Sequence, residues 1–238
     1  MSSNDPKLIV ALDYPDAAPA LAMAERLRPL SPWVKVGLEL LMGAGPGIVS
    51  ELNAMGLPVF LDGKFHDIPN TVAGAVRGAI ASGARILNVH ATGGLRMMRA
   101  AREAAESCNT QPRPLVIGVT VLTSLSPEEL RDEVGCARPL REQVLALARL
   151  AKQAGLDGVV ASVEETADIK AACGDDFVVI TPGIRPAAVE DDQRRVATPR
   201  AAVAAGADFL VVGRPITRAP DPAAACAAIQ REITEVAG

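Results

Sequence analysis

Eight times along the chain, a short run rich in Val, Ile and Leu is followed by a longer stretch with helical spacing of apolar residues. The runs are LIVALD (8–13), WVKVGL (33–38), PVFLDGK (58–64), RILNVH (85–90), PLVIGVTV (114–121), LDGVVAS (156–162), FVVITPG (177–183) and DFLVVGR (208–214). They are continuously apolar rather than alternating, the pattern of parallel strands covered on both faces. The stretches between them are 17–28, 48–55, 71–82, 95–107, 140–154, 163–172, 191–205 and 222–236. They are rich in alanine, the strongest helix former. Successive runs begin 25, 25, 27, 29, 42, 21 and 31 residues apart. A repeated strand–helix unit implies a parallel sheet with right-handed crossovers. Eight units in 238 residues predict a closed (β/α)8 TIM barrel, a fold of about 250 residues. An open doubly wound sheet would call for a glycine-rich turn after the first strand, and LDYPDAAPA (12–20) has no glycine. No linker or low-complexity stretch divides the chain, so residues 1–238 read as a single barrel domain.

Composition removes several classes of function. With 24 basic and 28 acidic residues, the formal charge is −4. An acidic chain with one Trp and one Tyr offers neither the basic footprint nor the stacking platforms of a nucleic-acid binder. No apolar run approaches the roughly 18 residues of a membrane span. The segment Met1–Lys7 is polar and lacks a signal-peptide core. Cys108, Cys136, Cys173 and Cys226 are scattered without a CxxC pair. They read as reduced thiols rather than a zinc site or disulfide framework, so the expected compartment is the cytoplasm.

Active sites on such barrels lie at the C-terminal ends of the strands. Strands one to three carry charge there: Asp13, Lys35, Asp62 and Lys64, with Asp67 three residues beyond. Asp62 and Lys64 are two apart, so on a regular strand they point to the same side. Lys35, Asp62, Lys64 and Asp67 are thereby expected to converge at one mouth. A salt-bridge network that merely closes the barrel is the bland alternative. Buried ion pairs stabilise poorly beside apolar replacements, so a cluster of this kind favours a functional reason. Gly213-Arg214 directly follows strand eight, where these barrels usually bind phosphate. Glycine admits a close backbone approach, and arginine offers a charge-assisted fork. Two long polar segments, 123–139 and 182–195, are candidate lids. Of the two histidines, His66 reads as a packing or loop-orienting residue and His90 as a supporting hydrogen-bonding group. Arg96, Arg99 and Arg102 read as a solvated helix face.

The string Asp62-Gly63-Lys64-Phe65-His66-Asp67-Ile68-Pro69-Asn70-Thr71, with VALD (10–13), VKVG (34–37), TVLTS (120–124), TPGIR (181–185), DDQRRVATP (191–199) and VVGRPIT (211–217), resembles the orotidine 5′-phosphate decarboxylase family in content and order. Gly63 replaces a bulkier residue at a position expected to point away from the mouth. The resemblance implies decarboxylation of orotidine 5′-phosphate to uridine 5′-phosphate, the last step of de novo pyrimidine synthesis, without metal or cofactor. It implies Lys64 as proton donor to C6, Asp62 beside the substrate carboxylate, and Lys35 and Asp67 completing an alternating array. Asp67 and Thr71 would come from the neighbouring subunit of a homodimer. Asp13 and Lys35 would hold the ribose, Thr123 with Ser124 the pyrimidine, and Arg185, Gln193, Gly213 and Arg214 the phosphate or its covering loop.

Two other readings compete with this one. Related sugar-phosphate barrels, such as keto-gulonate phosphate decarboxylase and hexulose phosphate synthase, share Asp-x-Lys-x-x-Asp but use Mg²⁺; their motif is followed shortly by Gly, whereas Asp67 is followed by Ile68-Pro69-Asn70-Thr71. A non-catalytic pyrimidine-nucleotide sensor would need the phosphate and ribose residues but not a lysine poised at C6.

Overall fold

The computed structural model describes residues 6–30, 32–185 and 197–237. Its strands are β1 (Lys7–Ala11), β2 (Trp33–Val36), β3 (Val59–Phe65), β4 (Ile86–His90), β5 (Leu115–Val119), β6 (Gly158–Val160), β7 (Val178–Thr181) and β8 (Phe209–Val212). All pair in parallel and in sequence order, and β8 returns to β1 to close the barrel. The expected (β/α)8 architecture is the one observed. Closure leaves no unpaired sheet edge.

Each strand alternates between two apolar compartments, as the pleat requires. Ile9, Phe60, Ile86, Ile117, Ile180, Phe209 and Val211 fill the barrel interior. The edge of Trp33 meets Phe209 there, with ring centroids 5.4 Å apart. The intervening residues, among them Val10, Val34, Val36, Leu61, Leu87 and Val89, pack outward against the helices. Continuous hydrophobicity therefore has a simple origin: both faces of every strand are buried.

The helices are α1 (Ala17–Leu27), α2 (Leu38–Ala44), α3 (Gly47–Ala54), α4 (Pro69–Ala81), α5 (Gly94–Ser107), α6 (Pro127–Asp132), α7 (Leu140–Gln153), α8 (Val163–Cys173), α9 (Pro199–Ala204), α10 (Arg214–Thr217) and α11 (Pro222–Ala237). Three depart from the sequence-based expectation. The second apolar run stops at Val36, because Gly37 starts α2. Within the expected polar loop 123–139, Ser126 and Glu129 form a reciprocal capping box that starts α6. That box satisfies two backbone N–H groups that a helix start otherwise leaves open. After β8, the chain turns at once into α10. Of the helix expected over 191–205, α9 is its C-terminal part, and 191–196 lie outside the described residues.

The N-terminal end of the barrel is tied by two aspartates, each just before a strand. Asp157 accepts from the Val116 N–H on β5 at 2.8 Å. Arg102 and Arg113 flank it at 2.8 and 2.5 Å. Asp208 accepts from the Val179 N–H on β7 at 2.7 Å and from Lys170 at 2.8 Å. Arg102 corrects the expectation of a solvated face. Arg96 and Arg99 are exposed, whereas Arg102 is half-buried and also donates to the Gly155 carbonyl. These contacts lie at the end of the barrel where residues serve stability. Asp157→Ala should therefore cost about 2–3 kcal/mol, since it strands an N–H donor and two guanidinium groups. Urea unfolding checks this, and a loss below about 0.5 kcal/mol, the usual size of a neutral surface change, would contradict it.

Candidate active site

The strand parity that fills the interior also aims the charged residues inward. Asp13 continues the inward series Ile9 and Ala11, Lys35 follows Trp33, and Asp62 follows Phe60. These positions form the last inward layer at the C-terminal mouth, where a cavity of about 290 Å³ opens. Lys35 Nζ lies 2.9 Å from Asp13 Oδ1 and 3.4 Å from Asp62 Oδ2. Lys64 Nζ lies 2.6 Å from Asp62 Oδ1. The result is a chain of alternating charge, Asp13–Lys35–Asp62–Lys64. Within this chain the fourth member is Asp13, not Asp67. Gly37 leaves space for the array, because a Cβ there would come within 2.7 Å of Lys35 Nζ.

Asp62 and Lys64 do meet, although not as neighbours on a regular strand. Phe60 and Leu61 pair with Ile86 and Leu87, but the next pair is Phe65 with Val89. Two extra β3 residues are thus accommodated in a bulge, a device that re-aims side chains next to functional sites. Lys64 is its last residue, with φ +47°. A non-glycine residue in this left-handed region costs about 1–2 kcal/mol, so the surroundings must hold it. One support is a hydrogen bond from Lys64 N–H to Asn88 Oδ1, at 2.7 Å. Asn88 Nδ2 in turn donates to Asp62 Oδ1, at 2.6 Å. Gly63 has a local reason as well: a Cβ there would lie 2.7 Å from the Phe65 ring. Position 63 does not line the cavity, in keeping with the expectation that it points elsewhere.

Asp62 and Lys35 are buried and charged together. Burial alone would raise the Asp62 pKa, but Lys35, Lys64 and the hydrogen bonds from Lys64 and Asn88 overcome it and hold the carboxyl below its ordinary value. Burial would lower Lys35, and the neighbouring Asp62 and Asp13 outweigh it, so its pKa is raised. Each ion is thus kept charged by its partners. His90 is pushed down by burial and by nearby His66 and Lys64. Its ring centroid is 5.5 Å from that of His66.

Beyond the array, Thr123, Ser124, Arg185, Gly213 and Arg214 line the cavity. Arg185 is buried, and its Nη1 donates to the Ile184 carbonyl at 3.0 Å. Asp67 and Thr71 are exposed and outside the cavity lining. Asp67 Oδ1 accepts from the Ile68 N–H instead. The expected convergence of Asp67 with Lys35, Asp62 and Lys64 therefore does not occur within one chain. Gln193, and most of the candidate lid 182–195, lie outside the described residues. The sequence reading missed the apolar wall formed by Phe60, Val119, Val121, Val160, Ile180 and Val211, and it missed Asn88. All but Val121 lie on strands and share the inward parity of their strand, which was the available signal. Among the described residues, no three His, Cys, Asp or Glu side chains are grouped to hold a metal.

The lowered pKa of Asp62 has a defined sign in stability. The unfolded chain binds the proton more readily, so Asp62 contributes fully above its unfolded pKa of about 3.9. The contribution is lost as pH falls through the lower native value. The stability gap between the native protein and Asp62→Asn should thus be constant above about pH 5 and narrow below it. Denaturant titrations across that range measure the gap, and widening on acidification would contradict the charged pairing.

The fold and site geometry can be set beside known proteins. The model of the orotidine 5′-phosphate decarboxylase / HUMPS family matches residues 6–229. The chain is 56% identical to the orotidine 5′-phosphate decarboxylase of Alkalilimnicola ehrlichii over 228 residues, covering 95% of this chain and 96% of the relative. It is 55% identical to that of Chromohalobacter salexigens over 232 residues, covering 97% of each. The crystal structure of the Lactobacillus acidophilus orotidine 5′-phosphate decarboxylase superposes with a TM-score of 0.87 at 40% identity, covering 96% of this chain and 99% of that one. With matches spanning nearly the whole barrel, this chain belongs to the orotidine 5′-phosphate decarboxylase / HUMPS family.

Proposed function

We propose that this chain decarboxylates orotidine 5′-phosphate to uridine 5′-phosphate, as the last step of pyrimidine nucleotide synthesis, with residues 1–238 acting as one catalytic domain. The observation that carries the reading is the Asp13–Lys35–Asp62–Lys64 array at the cavity mouth of a chain so similar to named decarboxylases. The apolar wall suits the faces of a pyrimidine, and Thr123 suits its polar edge. Asp13 and Lys35 are disposed for ribose hydroxyls. Arg185, Arg214 and the backbone at Gly213 supply charge and donors for the phosphate, with Gln193 assigned to the same end by its motif. The free cysteines suit the reducing cytoplasm.

In the reaction, the bond from C6 to the substrate carboxylate breaks and carbon dioxide leaves. The electron pair remains on C6, with no adjacent carbonyl to delocalise it. Lys64, fixed by Asp62, presents a cation to that developing charge and then gives C6 its proton. The amine regains a proton from solvent. A proton donor alone contributes about 10²–10⁴-fold, while enzymes typically remove about 8–23 kcal/mol of barrier. Most of the acceleration therefore falls to charge that is already oriented before substrate arrives, and to binding energy from remote groups such as the phosphate. The ion chain provides the first. Its members already partner one another, so little reorientation is needed during the reaction.

Purified protein should remove the absorbance of orotidine 5′-phosphate, and turnover should persist with EDTA present. Loss of activity on chelation would favour the Mg²⁺-dependent sugar-phosphate chemistry of related barrels. Lys64→Ala should keep the fold and retain less than about a hundredth of turnover, the lower end of a positioned acid's contribution. Greater retention would contradict a donor role.

The exposed position of Asp67 and Thr71 supports a shared site in a homodimer. Ile68 beside them is 67% exposed, and Met42 and Leu38 on α2 are 81% and 51% exposed. Phe65, in the same motif, is instead packed against the core. Apolar surface at the mouth suits a two-fold partner that would receive Asp67 and Thr71. Co-expression of Lys64→Ala with Asp67→Ala tests this. If Asp67 acts in trans, a mixed dimer has one doubly altered site and one intact site. Random pairing makes about half the dimers mixed, so about a quarter of sites should be active. No recovered activity, with mixed dimers shown to form, would refute the shared site and leave the decarboxylase reading intact.

A further inference from the structure

Asn88 is fully buried on β4, on the inward parity of that strand, and does not line the cavity. In the β3–β4 register it falls between the pairs Leu61–Leu87 and Phe65–Val89, opposite the bulge that carries Asp62 and Lys64. Its carboxamide does there what a strand's peptide group does elsewhere. The carbonyl oxygen accepts from Lys64 N–H at 2.7 Å, and the amide nitrogen donates to Asp62 Oδ1 at 2.6 Å. Those partners fix the orientation of the amide, since a flipped group would set N–H against N–H and oxygen against carboxylate.

We infer that Asn88 is the positioning residue of the proposed decarboxylase site, holding the Lys64 backbone in its left-handed conformation and the Asp62 carboxylate against the Lys64 ammonium. The inference rests on the decarboxylase reading. One side chain thereby fixes both ends of the ion pair: the main chain from which Lys64 extends and the carboxylate that receives its head group. Asp62 Oδ1 takes both donors, Lys64 Nζ and Asn88 Nδ2, at 2.6 Å each. Without Asn88, the lysine would lose its backbone restraint and the carboxylate one of its donors. Small displacements of a reacting group are costly for rate, while phosphate and ribose contacts made elsewhere would be preserved. The role is therefore in turnover and not in affinity.

The test compares native protein, Asn88→Ala and Asn88→Asp for decarboxylation, uridine 5′-phosphate binding and thermal unfolding. Asn88→Ala should lower kcat by about ten- to a hundred-fold, the range for a lost hydrogen bond to a charged group. KM and the product Kd should stay within about three-fold. Asn88→Asp keeps the volume and the acceptor for Lys64 N–H, and it carries the test if the alanine variant does not fold. The charged and titratable groups around position 88 are Asp62 and Lys64 on β3, Lys35 on the other oxygen of Asp62, and His90 further along β4. Two adjoining carboxyls resist being ionised together, so the one introduced beside Asp62 should hold its proton to a higher pH than usual. In its protonated form that carboxyl offers one donor and one acceptor, matching the two bonds that asparagine makes here. Relative to native protein, kcat of Asn88→Asp should therefore rise as pH falls from about 8 to about 6. Unchanged kcat in Asn88→Ala would overturn the inference. So would a parallel loss of kcat and product binding, or an Asn88→Asp variant that matches native protein at every pH. Failure of native protein itself to turn over orotidine 5′-phosphate would instead refute the underlying reading.

Discussion

The Asp62 carboxylate is the point on which the mouth of this barrel is organised. It is buried, and it takes Lys64 and Asn88 on one oxygen and Lys35 on the other. A buried carboxylate would ordinarily be expelled or protonated. Here two cations and an amide hold it ionised, and in return it holds both lysines. Lys35 passes the alternation to Asp13 at the solvent side. Removing Asp62 would take from both lysines the partner they share, which is why the arrangement turns on this one carboxylate.

The barrel supplies the conditions for that unit. Parallel closure places eight strand ends at one mouth, and the pleat sends alternate residues inward. The lower inward layers are apolar and tightly filled, with Trp33 against Phe209. The top layer carries Asp13, Lys35 and Asp62, and at the other end Lys7 lies over the Phe209 ring. The opposite end is tied by Asp157 and Asp208 to strand N–H groups, with arginines and a lysine as partners. Charge therefore ties strands at one end and, on the proposed reading, serves chemistry at the other. The difference lies in the space above it: the mouth opens into a cavity, and the array forms part of its wall.

The geometry at this mouth depends on a local departure from regular structure. A straight β3 would place Asp62 and Lys64 side by side on one face, as their spacing suggests. The bulge instead turns the Lys64 backbone to φ +47° and folds its ammonium back onto Asp62. Gly63 gives the Phe65 ring room next to this turn, and Gly37 gives the Lys35 head group room beside Asp13. Strain of this kind is stored where the surroundings over-determine the conformation. It lies at the residue expected to move the proton.

The strand runs, their spacing and their unbroken hydrophobicity determined the barrel, because a strand buried on both faces has few other uses for so many Val and Ile residues. The motif around Asp62 and Lys64 likewise pointed to the strand ends that line the cavity. Even α6 was legible in the Ser126–Glu129 box, and Asn88 in its inward parity, though neither stands out among ordinary polar residues. Two things were decided only in three dimensions. The two-residue bulge depends on how β3 registers against β4, a pairing that local spacing does not encode. Within one chain the fourth member of the charge array depends on distance: Asp67, although it belongs to the same motif as Asp62 and Lys64, turns to its own loop, while Asp13, outside that motif on the first strand's end, reaches Lys35. Ion pairing follows separation in space, and the parallel pairing of β1 with β2 sets the ends of those two strands side by side.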